Sequence, residues 1–304
     1  MRVFLATDGS PESFAAIREV LRILSPDRDS LLFYYSPFGP AKILGYDEGV
    51  LKHSRELLSE AVFSRALAGL PHNWPGGVEK IVGSKDPRAE IFETAEAQAT
   101  DLIVVGARGL GPFKRMLLGS VSHAVAHLAN VPVFIGRPKR GTAPADHLNV
   151  LLPCESALSG RRLVDFLRQF TWPPDATARL MSVINTVFPG KLPDRLRNPK
   201  RTPEIEAMIA GWVRAQTATL ETAKEELAEL SLHYPPGIRA APPLICEGLA
   251  EREIVDAAKR EHAGLIVMGS KESTPWGRLF IGSTADAVMN HAPCSVLLVR
   301  HAAA

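Results

Sequence analysis

The second half of this 304-residue chain repeats the first half, and this internal repeat limits the possible folds more than any other feature. An offset of 163 residues, without gaps, aligns DLIVVGARG with GLIVMGSKE, Gly106 with Gly269, and Gly119 with Gly282. The amino-terminal parts align at an offset near 147, so the second copy carries an insertion, which we place in the Pro- and Lys/Arg-rich stretch 187–203. The repeat predicts two copies of one domain, residues 1–138 and 147–304, joined by a linker rich in turn-forming and charged residues.

Each copy alternates short apolar segments with longer segments of helical periodicity. In the first copy, strands are predicted at residues 3–6, 31–35, 78–82, 102–105 and 131–135, and helices at 10–24, 50–70, 86–99 and 120–129. The strands are apolar without alternation, and helices separate them, which favours a parallel sheet covered on both faces. We therefore expect an α/β fold of two tandem doubly wound, Rossmann-like domains, each with a five-stranded parallel sheet.

Charge and hydropathy exclude several function classes. The 35 basic and 33 acidic residues nearly cancel, so no overall field attracts nucleic acid or an anionic membrane. The apolar run at the amino terminus is too short for a signal peptide, and no run approaches the roughly 18 residues of a membrane span. The three cysteines show no metal-ligand spacing. We expect a cytoplasmic protein with reduced structural thiols.

A glycine-rich loop follows the fourth predicted strand of the first copy. It runs from Gly106 through Arg108 and Gly109, and it closes at Gly119 just before the last helix. Glycines let backbone N–H groups approach an anion, and a helix amino terminus adds unpaired donors and a favourable dipole. The spacing matches neither G-x-G-x-x-G nor the Walker A motif. Glycines and the Asp8-Gly9-Ser10 segment also occur in ordinary turns and helix caps, and this alternative stays open.

The pattern Gly-x2-Gly-x9-Gly-Ser, with Asp8 at the end of the first strand, resembles the universal stress protein family. The resemblance covers nearly the whole chain as two modules, and it implies the adenine nucleotide alpha hydrolase-like fold of that family. The resemblance implies ATP binding, with Asp8 near the ribose hydroxyls or a Mg²⁺ ion. The backbone of Ala6 and Thr7 would face the nucleoside, Ser36 would contact adenine, and Arg108 could reach a phosphate. The triphosphate and ribose would contact Gly106, Gly109, Gly119, Ser120, Val121 and Ser122.

The second copy departs from this pattern. Glu272 replaces the second glycine, and either Glu155 or Cys154 replaces Asp8. A carboxylate near phosphates is unfavourable, so we expect a weakened second ATP site. In the family the last strand commonly builds dimer contacts, which implies an internal pseudo-dimer of the two copies here. Whether the whole chain also forms a homodimer stays open.

The remaining patterns favour structural roles. His123 and His127 have a spacing that can hold a metal, but the sequence around them shows no third ligand, and surface or packing roles are expected. The segment 202–232 is predicted as a long amphipathic helix. No hydrolase motif emerges. The leading function is that of an ATP-binding regulator in stress adaptation, implied by the resemblance. The alternatives are a slow ATPase or nucleotidyl-transfer enzyme, and a scaffold that binds no nucleotide.

Overall fold

The computed structural model describes residues 1–37, 48–71, 74–109, 118–138, 147–184, 202–270 and 281–300. Most of the predicted insertion, the linker centre and Glu272 lie outside these ranges. The first module consists of β1 (Arg2–Thr7), α1 (Pro11–Leu21), β2 (Ser30–Tyr35), α2 (Glu48–Leu67), β3 (Val78–Val82), α3 (Pro87–Ala97), β4 (Leu102–Gly106), α4 (Ser120–Leu128) and β5 (Val133–Gly136). The predicted alternation of strands and helices is confirmed, while β5 begins only after Pro132, which has no N–H for a strand ladder.

The second module repeats the same order. It consists of β6 (Asn149–Pro153), α5 (Ala157–Phe166) with a 3-10 turn (Leu167–Gln169), β7 (Thr177–Ile184), α6 (Pro203–Ser231), β8 (Arg239–Ala240), β9 (Leu244–Glu247), α7 (Ala250–Arg260), β10 (Leu265–Gly269), α8 (Ser283–His291) and β11 (Ser295–Val299). Both β8 and β9 pair with β7, and Pro242 and Pro243 lie between them. The prolines interrupt what is a single strand, β3, in the first module.

The two modules share one sheet. Among the described residues it has eleven strands in the order β3-β2-β1-β4-β5-β11-β10-β6-β7-β8, with β9 also on β7. All pairings within a module are parallel, whereas β5 and β11 pair antiparallel through Val133 to Ile135 and Val296 to Leu298. The predicted doubly wound α/β class is confirmed, and the edge strand of each module is covered by the other.

Helices cover both faces of the sheet and enclose two apolar clusters. One cluster contains Phe33 and Leu297, and the other contains Phe4 and Val296, each less than 2% exposed. The alternation of these side chains along each strand places neighbours on opposite faces. Within the described part of the chain, no helix combines the length and apolar character that crossing a bilayer requires.

Arg137 and Arg300 cross between the modules beside the paired strands β5 and β11. Arg137 follows β5 and donates to the carbonyl of Met289 in α8, while Arg300 follows β11 and donates to the carbonyl of Ala126 in α4. The two arginines occupy equivalent positions in the repeat, so each module donates a hydrogen bond to the last helix of the other. Burial lowers the pKa of both guanidinium groups to about 10.

Candidate functional site

A cavity of about 680 Å³ opens in the first module at the carboxyl ends of its strands. In doubly wound sheets this edge is where ligands bind, and the volume lies within the range of about 300–1,000 Å³ that small-molecule sites occupy. The structure brings all of the residues predicted from the sequence to the wall of this one cavity: Ala6, Thr7, Asp8, Ser36, Gly106, Arg108, Gly109, Gly119, Ser120, Val121 and Ser122.

The turn that carries Asp8 is held by local hydrogen bonds. The N–H of Ser10 donates to Asp8 Oδ1 at 3.0 Å, and the N–H of Gly9 donates to Thr7 Oγ1 at 3.1 Å. Gly9 has a φ of 80°, in the region that favours glycine. The Ser10 hydroxyl accepts from the N–H of Ser13 and caps α1. The turn fixes the direction of the Asp8 carboxylate.

The glycine loop lies directly against this turn. A Cβ atom on Gly109 would overlap Asp8 Oδ2, and a Cβ on Gly106 would lie 3.0 Å from Ser13 Cα at the start of α1. The absence of side chains at these two positions therefore lets the loop backbone reach both the carboxylate and the first helix. The loop glycines have a packing role here that goes beyond an ordinary turn.

The amino terminus of α4 forms the floor of the cavity. Its N-cap residue is Gly119, and among the residues that the structure describes no side chain accepts from the N–H groups of the first turn. The hydroxyl of Ser122 is buried and donates to the Gly106 carbonyl at 2.5 Å. This bond directs the hydroxyl of Ser122 at the protein backbone, and Ser122 ties α4 to the end of β4. The backbone donors and the Ser120 side chain are the groups that α4 offers to an anion.

The cavity wall also includes residues that were not predicted from the sequence: Glu12, Ser13, Tyr34, Pro87, Ile91 and Val105. The Tyr34 hydroxyl donates to Glu90 at 2.7 Å, and Ser36 Oγ donates to the Lys85 carbonyl at 3.1 Å. Val105 ends a predicted strand and Pro87 lies next to the start of a predicted helix, but core residues occupy such positions as well, so position alone does not identify a cavity wall.

Among the lining residues that the structure describes, two carboxylates and one guanidinium carry charge. Asp8 and Glu12 are acidic, and Arg108 is basic. Burial, together with the negative charge of Asp8, raises the pKa of Tyr35 above its ordinary value. An anionic ligand here would thus meet Arg108 and helix amides on one side and a carboxylate on the other, which suits a polyphosphate that brings its own cation.

The second module has a cavity of similar size, about 660 Å³, at the equivalent position. In the first module Ala6 pairs with Tyr34, and in the second module Pro153 pairs with Met181 in the same register. Cys154, which follows Pro153, is therefore equivalent to Thr7, which follows Ala6. Glu155 is therefore the residue that takes the place of Asp8. Further replacements remove hydroxyl groups, with Val183 at the position of Ser36 and Ala285 at that of Ser122.

The fold and these cavities define the class of the protein. It is a tandem doubly wound α/β protein with a crevice beside a glycine loop in each repeat. The family model described as "Universal stress protein family" matches residues 1–137 and 196–300. The chain belongs to the universal stress protein family.

Known proteins agree with this assignment. The chain is 46% identical over 59 residues to universal stress protein YxiE of Bacillus subtilis, covering 19% of this chain and 40% of that protein. It is 32% identical over 146 residues to a universal stress protein of Mycolicibacterium smegmatis, covering 45% of this chain and 46% of that protein. Each alignment thus spans less than half of the relative's own length. The crystal structure of a universal stress protein from Archaeoglobus fulgidus matches the fold with a TM-score of 0.58 at 20% identity, over 99% of this chain and 96% of that one.

Proposed function

We propose that the chain binds ATP in the first-module cavity and acts as a nucleotide-responsive regulator in stress adaptation in the cytoplasm. The observation that carries the proposal is the convergence of the start of α4, the described part of the glycine loop and Asp8 on one cavity of about 680 Å³. Membership of the universal stress protein family supports adenine nucleotide as the ligand and stress adaptation as the setting.

The proposed pose follows from the walls of the cavity. The phosphates lie at the first turn of α4, where backbone N–H groups and the helix dipole stabilise negative charge, with Arg108 beside them. Asp8 accepts from the ribose hydroxyls or holds a Mg²⁺ ion bound to the phosphates. The adenine ring lies between Ala6, Val105 and Ile91 and extends towards Ser36. Apolar walls with a few directed polar groups are typical of cofactor sites.

The second module is proposed to bind ATP more weakly. Its cavity is as large, so size does not distinguish the modules, but its chemistry differs. Val183 lacks the hydroxyl of Ser36, and Met268 is bulkier than the equivalent Val105. Ala285 lacks the hydroxyl with which Ser122 ties α4 to the Gly106 carbonyl, so the start of the equivalent helix has one anchor fewer. Glu272 adds charge repulsion.

The two modules are further proposed to act as an internal pseudo-dimer. The antiparallel pairing of β5 with β11 and the two crossing arginines, Arg137 and Arg300, support this arrangement. Because α4 begins at the proposed phosphate site and its carbonyl at Ala126 accepts from Arg300, nucleotide bound to the first module would contact a helix that the second module holds.

Isothermal titration of the full-length chain with ATP, with and without Mg²⁺, tests the proposal. We expect one tight site per chain, lost in Gly109→Glu, which introduces at the first loop the carboxylate that the second copy carries. Gly211→Glu is the matched control, because Gly211 lies in α6 with nothing within 4 Å of an added Cβ. Unchanged affinity in Gly109→Glu would contradict the site. An unchanged melting temperature with millimolar ATP would favour the scaffold alternative.

A further inference from the structure

A cluster of three possible metal ligands lies where the two modules meet. His123 and His127 come from α4, and Asp286 comes from α8 of the other module. Their ligand atoms all lie within 4.8 Å of one another. The cluster lies outside the cavities described above, since none of the three residues lines them.

The repeat explains why the ligands converge. Asp286 occupies the position in the second module that His123 occupies in the first, and Asn290 likewise corresponds to His127. Pairing of β5 with β11 sets equivalent helices of the modules side by side, so these four positions face one another. Residues four apart share a helix face, and the two imidazole rings stack with centroids 4.2 Å apart.

The distances suit a shared metal ion. Nε2 of His127 lies 3.2 Å from Asp286 Oδ1, and Nε2 of His123 lies 3.6 Å from the same oxygen. With metal–ligand bonds of about 2.0–2.1 Å, neighbouring ligand atoms of a tetrahedral zinc ion are about 3.3 Å apart. The two nitrogen–oxygen separations bracket this value, and since no two of the ligand atoms are more than 4.8 Å apart, rotation of the side chains could bring all three to one ion.

A neighbouring amide leaves one carboxylate oxygen available. Asn290 Nδ2 donates to the Asp286 backbone carbonyl at 2.9 Å and lies 3.4 Å from Asp286 Oδ2. A contact of this kind orients a ligating carboxylate and directs its other oxygen to the metal. The side chains of His123, His127 and Asp286 are 50%, 35% and 39% exposed, so a fourth ligand such as water can reach the site.

We propose that His123, His127 and Asp286 bind one divalent transition-metal ion of the zinc class, which bridges the two modules. Two imidazoles and a carboxylate form a mixed nitrogen and oxygen donor set, which suits zinc and its transition-metal neighbours, whereas Mg²⁺ and Ca²⁺ prefer oxygen alone. An ordinary surface ion pair would need only one of the histidines. The second imidazole, aimed at the same carboxylate oxygen from the same helix face, is the feature that a metal site requires.

Metal titration of the tag-free, full-length chain without nucleotide tests this inference. We expect one Zn²⁺ to bind per chain, and Co²⁺ to give the intense visible absorption of a four-coordinate ion. Loss of one ligand in His123→Ala or Asp286→Asn should weaken Zn²⁺ binding by about 100-fold or more, above the 10- to 100-fold effect of losing a supporting residue. His291→Ala is the matched control, because this exposed histidine of α8 has Nδ1 within 2.8 Å of its own helix carbonyl at Ala287.

The chain has nine histidines, so the variants decide the outcome rather than binding alone. Zn²⁺ affinity that is lower in His123→Ala and Asp286→Asn but unchanged in His291→Ala supports the bridging site. Equal affinity in all three variants, or a Co²⁺ spectrum typical of six-coordinate surface binding, overturns it. Circular dichroism of each variant shows whether it is folded, and the half-exposed position of His123 makes His123→Ala the variant least able to disturb packing.

Discussion

Asp8→Asn separates the two roles that remain for the carboxylate in the first-module cavity. Asp8 Oδ1 accepts from the Ser10 N–H at 3.0 Å, and an asparagine oxygen can accept the same bond. The turn should therefore persist, and the free energy of unfolding should change by less than about 1 kcal/mol. What changes is the charge presented to the ligand.

The size of the binding effect follows from the kind of bond that is lost. A hydrogen bond to a charged group contributes about 1.5–3 kcal/mol, which corresponds to an increase of about 10- to 150-fold in the ATP dissociation constant. If Asp8 accepts from the ribose hydroxyls, the loss should be the same with and without Mg²⁺. If Asp8 holds the metal ion, the loss should occur only when Mg²⁺ is present.

Isothermal titration in magnesium buffer and in EDTA measures the ATP affinity with and without Mg²⁺. Thermal melting shows whether the variant is folded. Glu155→Gln is the matched control, since it removes the carboxylate at the equivalent position of the second module. It should leave the tight site unchanged. If Asp8→Asn bound ATP as tightly as the parent chain in both buffers, the assignment of Asp8 to the nucleotide would be refuted.

Two further predictions concern packing and thiol chemistry. Gly136→Ala should destabilise the fold by about 1–3 kcal/mol in denaturant unfolding, because an added Cβ would overlap Ala16. Gly211→Ala should stabilise the fold by up to about 1 kcal/mol, because Gly211 lies in a helix with open space around an added Cβ. Burial raises the pKa of Cys154 and of Cys294 from 9.0 to about 12, so both buried thiols should resist iodoacetamide at pH 8. Burial and the charge of Glu253 also raise the pKa of Cys246, but this half-buried thiol is accessible to the reagent and should react faster. The folded state holds these two thiol protons more tightly than the unfolded state, so the contribution of Cys154 and Cys294 to stability should be complete below pH 9 and be lost as pH rises from 9 towards 12. Arg137 and Arg300, whose pKa burial lowers to about 10, act in the opposite direction above pH 10. Rapid labelling of all three cysteines in the native protein would contradict the burial argument.

Most of the architecture could be predicted from local sequence. The long helix 202–232 is found as α6 with Thr202 as its N-cap, and Asp86 caps α3 as its position before Pro87 indicates. These features depend on residues close in the chain, such as a cap and the first turn that it satisfies. The joined sheet could not be derived from local pattern, because β5 and β11 are separated by well over one hundred residues.

The residues of the candidate site likewise fall into a group that the sequence predicts and a group that it does not. The glycine loop and Asp8 were recognisable because their spacing is local, and the parallel topology then required them to meet at one edge of the sheet. The walls formed by Tyr34 and Val105 were not selected, because a buried strand residue has the same sequence signature whether it packs in the core or lines a cavity. The direction of the Ser122 hydroxyl, too, depends on where the Gly106 carbonyl lies.

The sequence alone determined that this chain contains two copies of one α/β unit. Hydropathy period, turn residues and helix caps specify strands and helices through interactions between residues only a few positions apart. Only the tertiary structure decided that the copies share a sheet and that His123 and His127 meet Asp286. The sequence around the histidine pair shows no third ligand, and the prediction of surface or packing roles for these histidines is not tested by the structure. A carboxylate, Asp286, lies near them in the other repeat, and only long-range strand pairing brings it close.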